Sequence, residues 1–533
     1  MDYEIKSTKD LIEFWKKFSE LFKIKEDKLA WLYIKMTQYS NNKKYKKDFN
    51  DAIKNIESKS QPYVFKLNKK FYESPFRQKL PQKYQLLNKI ISNQIELFRE
   101  KNIPLFEKEQ KLAVKFREIV GKMEIDFEGK KLTVQQMSAY LENHDREIRE
   151  KAWRAIWQRF AKDQNKLNKL FDELKAIRVQ IAKNAGFKNY RDFVHQAKGR
   201  FNYTPQDLEN FHRAVKKTIV PLIKKINKKK AGELGIKVLK PWDVNVDVNL
   251  EDRKLFNSTD ELIQKSQKIL NKVDKEFGDE FSKMIKNNLI DAENRKNKAP
   301  GGYCYPIFEL DSSFIFMHAV GKKTDIRTLL HEAGHAMHNV AGKEIEFIEY
   351  IYKPQEIAEL ASTSMELITL EYWDEFFKKD EMKDLIRNEL WEKVVAISWI
   401  VVVDKFQHWI YLKPNHTQKE RDKYFSKLLD EYGIEGDWDG LEKQKAIRWM
   451  KQLHIFEVPF YYIEYAMAQL GALAIYRNYK KNPKKTIAQY KKFLKTAYAK
   501  PLPEVYKTAG IKFDLSQEYI ADLMEFVKGE LEK

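Results

Sequence analysis

Breaks are rare in this sequence, and the apolar residues between them recur at helical spacing. Leu11, Ile12, Phe14, Trp15, Phe18, Leu21 and Phe22 fall on one face of a helix, as do Leu86, Ile90, Ile91, Ile95 and Phe98. Only 15 Pro and 18 Gly interrupt 533 residues, and Lys, Glu, Leu and Ala are plentiful, which favours helix throughout. Thr204-Pro205-Gln206-Asp207 reads as a helix start, with Thr204 as cap, Pro205 in the first turn and Asp207 completing a capping box. The apolar stretch Val394 to Val403, broken by Ser398 and closed by Asp404, is too short to cross a bilayer and reads as a buried helix.

Strand-like alternation is confined to a few places. Val244 to Leu250 is one, and Gly302 to Glu309 followed by Ser312 to Met317 is another. The expected fold is therefore mainly α, with a small antiparallel sheet just before residue 331. A boundary near residue 140 divides an N-terminal helical region, 1–140, from a region 141–533 that carries the chemistry.

The formal charge of +21 invites a nucleic-acid reading, but the lysines are spread along the chain and mixed with carboxylates. The densest run, Ile223 to Lys230, sits late in an amphipathic helix, where cations are favourable without a partner. A Lys-rich solvated surface is the expectation, with no nucleic-acid or membrane partner. Cys304 is the one cysteine, which fits a reducing compartment. Met1 to Lys6 shows no apolar run behind a basic start, so the expected location is cytoplasmic.

The stretch that carries chemistry is Leu329-Leu330-His331-Glu332-Ala333-Gly334-His335-Ala336-Met337-His338. On a helix, His331 and His335 project from one face a turn apart, so both imidazoles can meet one zinc ion. Glu332 lies beside them, placed to take a proton from a water that zinc makes acidic. A catalytic site needs a third protein ligand. The class that places a Gly seven and a His ten residues beyond the first His is excluded, because those positions are His338 and Ala341. The other class draws a Glu from a following helix, and Pro354 to Glu366 offers Glu356, Glu359 and Glu366 on one face. His338 reads as a local hydrogen-bonding residue.

From about residue 110 to 530 the sequence resembles the oligoendopeptidase F and thimet oligopeptidase family of zinc metallopeptidases. Lys298-Ala299-Pro300-Gly301-Gly302-Tyr303-Cys304, Leu329 to Ala336, Arg200-Phe201-Asn202-Tyr203-Thr204-Pro205 and Lys240-Pro241-Trp242-Asp243 carry the likeness. The resemblance implies a two-lobed, neurolysin-like helical zincin with a deep channel and one zinc ion per chain. It singles out Glu359 as third ligand, since Glu359, Ser362 and Glu366 match the family's Glu-x-x-Ser with a second Glu seven positions on. Glu366, further along that face, is placed to orient a ligand imidazole. His454, Tyr462 and Tyr465 match a late segment that supplies oxyanion donors. Gly301, Gly302 and Tyr303 correspond to a strand that pairs with substrate backbone.

The implied activity is cleavage of internal bonds in short, unfolded oligopeptides. A zinc carboxypeptidase of related helical fold is the alternative, and a non-catalytic, basic nucleic-acid-binding protein is the alternative of another class. Cleavage preference and oligomeric state are not legible.

Overall fold

Helical periodicity becomes helix along most of the chain. The computed structural model describes residues 3–247, 253–351 and 354–533. By contact density the chain divides into two units. One comprises Met1–Leu97, Arg253–Met382 and Ala468–Phe513, and the other Phe98–Asp252, Lys383–Met467 and Asp514–Lys533. The two are thus interleaved along the sequence.

In the first unit, the helix Thr8–Gln38 starts where Ser7 accepts the N–H of Asp10. It buries Leu11, Phe14, Trp15 and Phe18 in a cluster with Phe71, Leu87, Ile91, Phe347 and Tyr350, while Leu21 stays exposed. A mixed sheet of three strands lies in the same unit: β3 (Ile290–Glu293), β4 (Tyr303–Ile307) and β5 (Ser312–Ala319), in the order β3-β5-β4. β4 and β5 are antiparallel, with Tyr303 opposite Phe316 and Ile307 opposite Ser312, as the sequence led one to expect. The turn between them carries Asp311 in the left-handed region at φ 45°. The purely antiparallel sheet is corrected by β3, which pairs parallel to β5. That pairing joins residues 25 apart with no local signal.

In the second unit, Thr204 and Asp207 form the expected capping box at the head of the helix Pro205–Glu233. The apolar stretch from Val394 lies within the buried helix Met382–Leu412, where Ser398 donates to the Tyr432 carbonyl. A hairpin not expected from sequence, β1 (Glu124–Phe127) with β2 (Lys130–Thr133), turns through Glu128 and Gly129, both at positive φ. The strand expected from Val244 is absent over Val244 to Asp247, and its remainder lies outside the described residues. Among the described residues, no helix is long and apolar enough to cross a membrane.

One buried acid gives the first unit a pH-dependent stability. Glu349, between Ile348 and Tyr350, has Oε2 fully covered and without a hydrogen-bond partner among the described residues. Burial pushes its carboxyl from the usual 4.5 up to about 7. The folded state therefore holds this proton more tightly than the unfolded chain, and stability falls as pH rises from 4.5 through 7. Glu349→Gln removes that loss. Its melting temperature relative to the parent is expected to rise steadily between pH 5 and pH 8, and a flat difference would show that Glu349 ionises normally.

Candidate metal centre

The helix Lys323–Ala341 follows β5 directly and packs against β4 and β5. Asp325 sets its start, because one carboxylate oxygen accepts the N–H groups of Val320, Gly321 and Lys322 at 2.7, 2.9 and 2.9 Å. His331 and His335 stand one turn apart, their ring centroids 4.9 Å apart and nearly perpendicular. Their side chains keep 24% and 20% exposure, whereas Glu332 between them is buried.

The partner is the helix Gln355–Thr369, which begins after Pro354 and is buried from Glu356 to its end. Its small residues allow close approach, and Gly334 completes it. A Cβ at position 334 would meet the Ser362 Cα at 2.6 Å and the Met365 Cβ at 3.0 Å. Tyr490 and Tyr506 hold the same helix by donating to the carbonyls of Ala361 and Glu356.

This packing sorts the three glutamates that share one face. Glu359 Oε2 lies 3.4 Å from His331 Nε2 and 3.8 Å from His335 Nε2, and the three donor atoms fall within 4.8 Å of one another. Ser362 donates to Glu359 Oε2 at 3.3 Å. Glu366 Oε1 lies 2.6 Å from His331 Nδ1, so Nδ1 carries a proton towards Glu366, and Nε2 lies on the side of Glu359. Glu356 is buried but is not among the converging donors. His338 lies against the Phe493 ring and is not among them either.

The electrostatics of the group follow from burial and from the charges around it. Burial works against a charged His331, yet Glu359 and Glu366 raise its pKa well above the ordinary value. Burial likewise opposes an ionised Glu359, and His331 then His335 hold it below the usual range. Burial lifts Glu332 to about 7, because the lowering influence of His331 is too small to offset it and Glu359 and Glu366 add to the rise. Two imidazoles and a carboxylate converging on one point, with excess buried negative charge around them, fit a divalent transition ion.

The other expected residues lie in two places. Gly301, Gly302 and Tyr303 lead into β4 in the same unit as the histidines. Gly301 has φ 104°, and a Cβ on Gly302 would meet the Phe316 carbonyl oxygen at 3.3 Å. Tyr303 is committed to packing, stacked on Phe316 with its hydroxyl 2.6 Å from Thr37 Oγ1.

His454, Tyr462 and Tyr465 belong to the second unit, where they cluster. The His454 ring lies 4.5 Å from Tyr462 and 6.1 Å from Tyr465. Tyr465 is in the first turn of the helix Ile463–Lys481, and Tyr462 precedes that helix instead of sharing its face. Tyr461 stacks on His454 at 5.9 Å. Sequence reading missed two residues that shape this segment. Gln452 donates to His454 Nδ1 at 2.6 Å, and buried Arg200 bonds both the Phe460 carbonyl and Glu464. Phe460 sits at φ 60°, a strained turn that those bonds hold in place. Arg200 stood in a family-like motif without a role; Gln452 gave no signal.

The Gly334 contact is testable. Gly334→Ala places a methyl against backbone, which costs about 1–3 kcal/mol and forces the two helices apart. Bound metal per chain after dialysis and the melting temperature are both expected to fall. Metal retention equal to the parent would show that the contact does not position Glu359.

Comparison with known proteins identifies the family. Residues 139–525 match peptidase family M3, and residues 3–98 match the peptidase M3 N-terminal domain. An oligoendopeptidase F homolog of Borreliella burgdorferi is 24% identical over 526 residues, covering 92% of this chain and 84% of that protein. The chromosomal oligoendopeptidase F of Lactococcus lactis subsp. cremoris is 27% identical over 250 residues, 45% of this chain and 39% of that protein. Among solved structures, PZ peptidase A with inhibitor 2 superposes with a TM-score of 0.90 at 26% identity, over 98% of this chain and 94% of that one. Oligoendopeptidase-F from Enterococcus faecium shares the fold at a TM-score of 0.65 and 17% identity, over 99% and 93%. The family match spans most of the sequence and includes the His331–Glu366 region, and the chain belongs to peptidase family M3 and is a peptidase.

Proposed function

We propose that this chain is a zinc metalloendopeptidase that hydrolyses internal bonds of short oligopeptides, with His331, His335 and Glu359 as the metal ligands. The observation that carries this reading is the convergence of two imidazole nitrogens and one carboxylate oxygen within 4.8 Å. A zinc ion held there supplies a Lewis acid for the scissile carbonyl and lowers the pKa of water at that place. Glu332 is the general base: its carboxylate takes a proton from the attacking water and returns it to the leaving amine as the C–N bond breaks. A bound dication would oppose the upward shift of Glu332 and favour its basic form. Glu366 keeps the His331 proton on Nδ1 and so directs Nε2 to the metal.

His454, Tyr462 and Tyr465 are proposed as oxyanion donors. This assignment rests on the family resemblance and on their protonation. Because His454 Nδ1 accepts from Gln452, the ring proton lies on Nε2. Burial and then Lys198 lower its pKa to about 4, so the neutral ring is a hydrogen-bond donor at neutral pH. Burial raises the Tyr462 pKa, which keeps its phenol protonated. Pairing of substrate backbone at Gly301, Gly302 and Tyr303 is proposed on the edge position of β4.

Hydrolysis of a defined oligopeptide mixture, capped and uncapped, tests the activity by mass spectrometry. Internal cuts in capped peptides are expected to vanish with a zinc chelator and return with added zinc. Stepwise loss of C-terminal residues from uncapped peptides alone would identify a carboxypeptidase. Glu332→Gln is expected to keep its metal and lose turnover by about three orders of magnitude. Glu359→Ala is expected to lose metal on dialysis, and metal loss in Glu356→Ala instead would overturn the ligand assignment.

A further inference from the structure

A second group of two imidazoles and a carboxylate lies within the second unit. Asp404 and His408 are four residues apart on the helix Met382–Leu412, so they share one face a turn apart. His212 meets them from the helix Pro205–Glu233. Asp404 Oδ2 is 2.8 Å from His212 Nε2 and 3.2 Å from His408 Nε2, and the three donor atoms fall within 4.8 Å of one another. The side chains are 2%, 0% and 5% exposed for His212, Asp404 and His408.

Hydrogen bonding inside the protein does not satisfy this group. The His212–Asp404 contact is a hydrogen bond. The approach of His408 Nε2 to Asp404 is not aligned as one, and neither ring nitrogen of His408 nor Asp404 Oδ1 has a hydrogen-bond partner among the described residues. Buried polar atoms left in this way are rare and mark a place where an ion or water belongs. Behind His408, Glu209 Oε1 stands 4.0 Å from Nδ1, and Arg191 fixes Glu209 at 2.9 Å. A carboxylate on the far side of a histidine ring is the arrangement that aims the other nitrogen at a metal. His331 and Glu366 repeat it in the first unit.

We propose that His212, Asp404 and His408 form a second metal site, which takes a divalent first-row transition ion and ties the helices Pro205–Glu233 and Met382–Leu412 together. Two nitrogen donors and one carboxylate suit zinc or cobalt, whereas magnesium and calcium require oxygen ligands. Full burial makes the site structural, since a reacting substrate needs an open position. The competing account, a protonated His408 paired with Asp404 across 3.2 Å, binds no metal.

The test uses the full, untagged chain carrying His331→Ala and His335→Ala, so that metal at the first centre does not obscure the count. The protein is stripped with chelator, dialysed against zinc or cobalt, and its metal content measured by mass spectrometry. About one equivalent is expected to remain per chain, against about two in the parent, with visible cobalt absorption and a higher melting temperature than the stripped form. Adding His408→Gln or Asp404→Asn is expected to remove that equivalent. No retained metal in the His331/His335 variant overturns the proposal without any reference to the His408 variants. An equivalent that survives His408→Gln in folded protein overturns it as well.

Discussion

The candidate metal centre depends on one close contact between two helices. With no side chain at Gly334, the Ser362 backbone lies where a Cβ would otherwise stand. At that separation Glu359 reaches the Nε2 atoms of both histidines, and Glu366, two turns further on, reaches the opposite side of the His331 ring. A shift of one ångström would break the first relation before the second, because one carboxylate oxygen serves two rings. The tyrosine hydroxyls that bond Ala361 and Glu356 hold the acidic helix from elsewhere in the same unit, so the proposed ligands stand on supported elements and not on loops.

That packing brings a concentration of buried acid with it. Glu332, Glu356, Glu359 and Glu366 are all nine-tenths buried or more. An isolated buried carboxylate is costly, and a fold under selection for stability alone would replace most of them. Two are offset by His331, and Glu332 is pushed up to about 7 by burial first, with the charges of Glu359 and Glu366 adding to the rise and His331 opposing it. Such local conflict between charge and burial is typical where binding or catalysis sets the requirement. A divalent cation is the group whose arrival would relieve it.

Legibility followed the range of the interactions. His331 and His335 are four apart on a strong helical pattern, so sequence alone brought them together. The family resemblance is borne out by the match to peptidase family M3. Spacing left Glu356, Glu359 and Glu366 equivalent, because which of them faces the histidines is decided by the offset between two helices, and no periodicity encodes an offset. Tyr462 and Tyr465 are three apart in sequence, a spacing that would share a helical face, but the helix starts only at Ile463, after the positive-φ turn at Phe460. The strand Lys130–Thr133 is mostly polar and four residues long, too short for alternation to register. The parallel pairing of β3 is set by a distant partner.

The same limit explains why the second histidine group is invisible to a search for metal motifs. His331 and His335 advertise themselves as a pair, whereas Asp404 and His408 have their third member, His212, nearly two hundred residues away. In sequence, Asp404 only closes an apolar stretch. In the fold it is wholly buried and faces two imidazoles. The two groups offer the same donor types and differ in access. Imidazoles with a fifth to a quarter of their surface open leave room for a substrate carbonyl and water. Imidazoles with at most a twentieth open give a substrate no approach. If both groups hold metal as proposed, burial, more than ligand identity, decides which of them a peptide can reach.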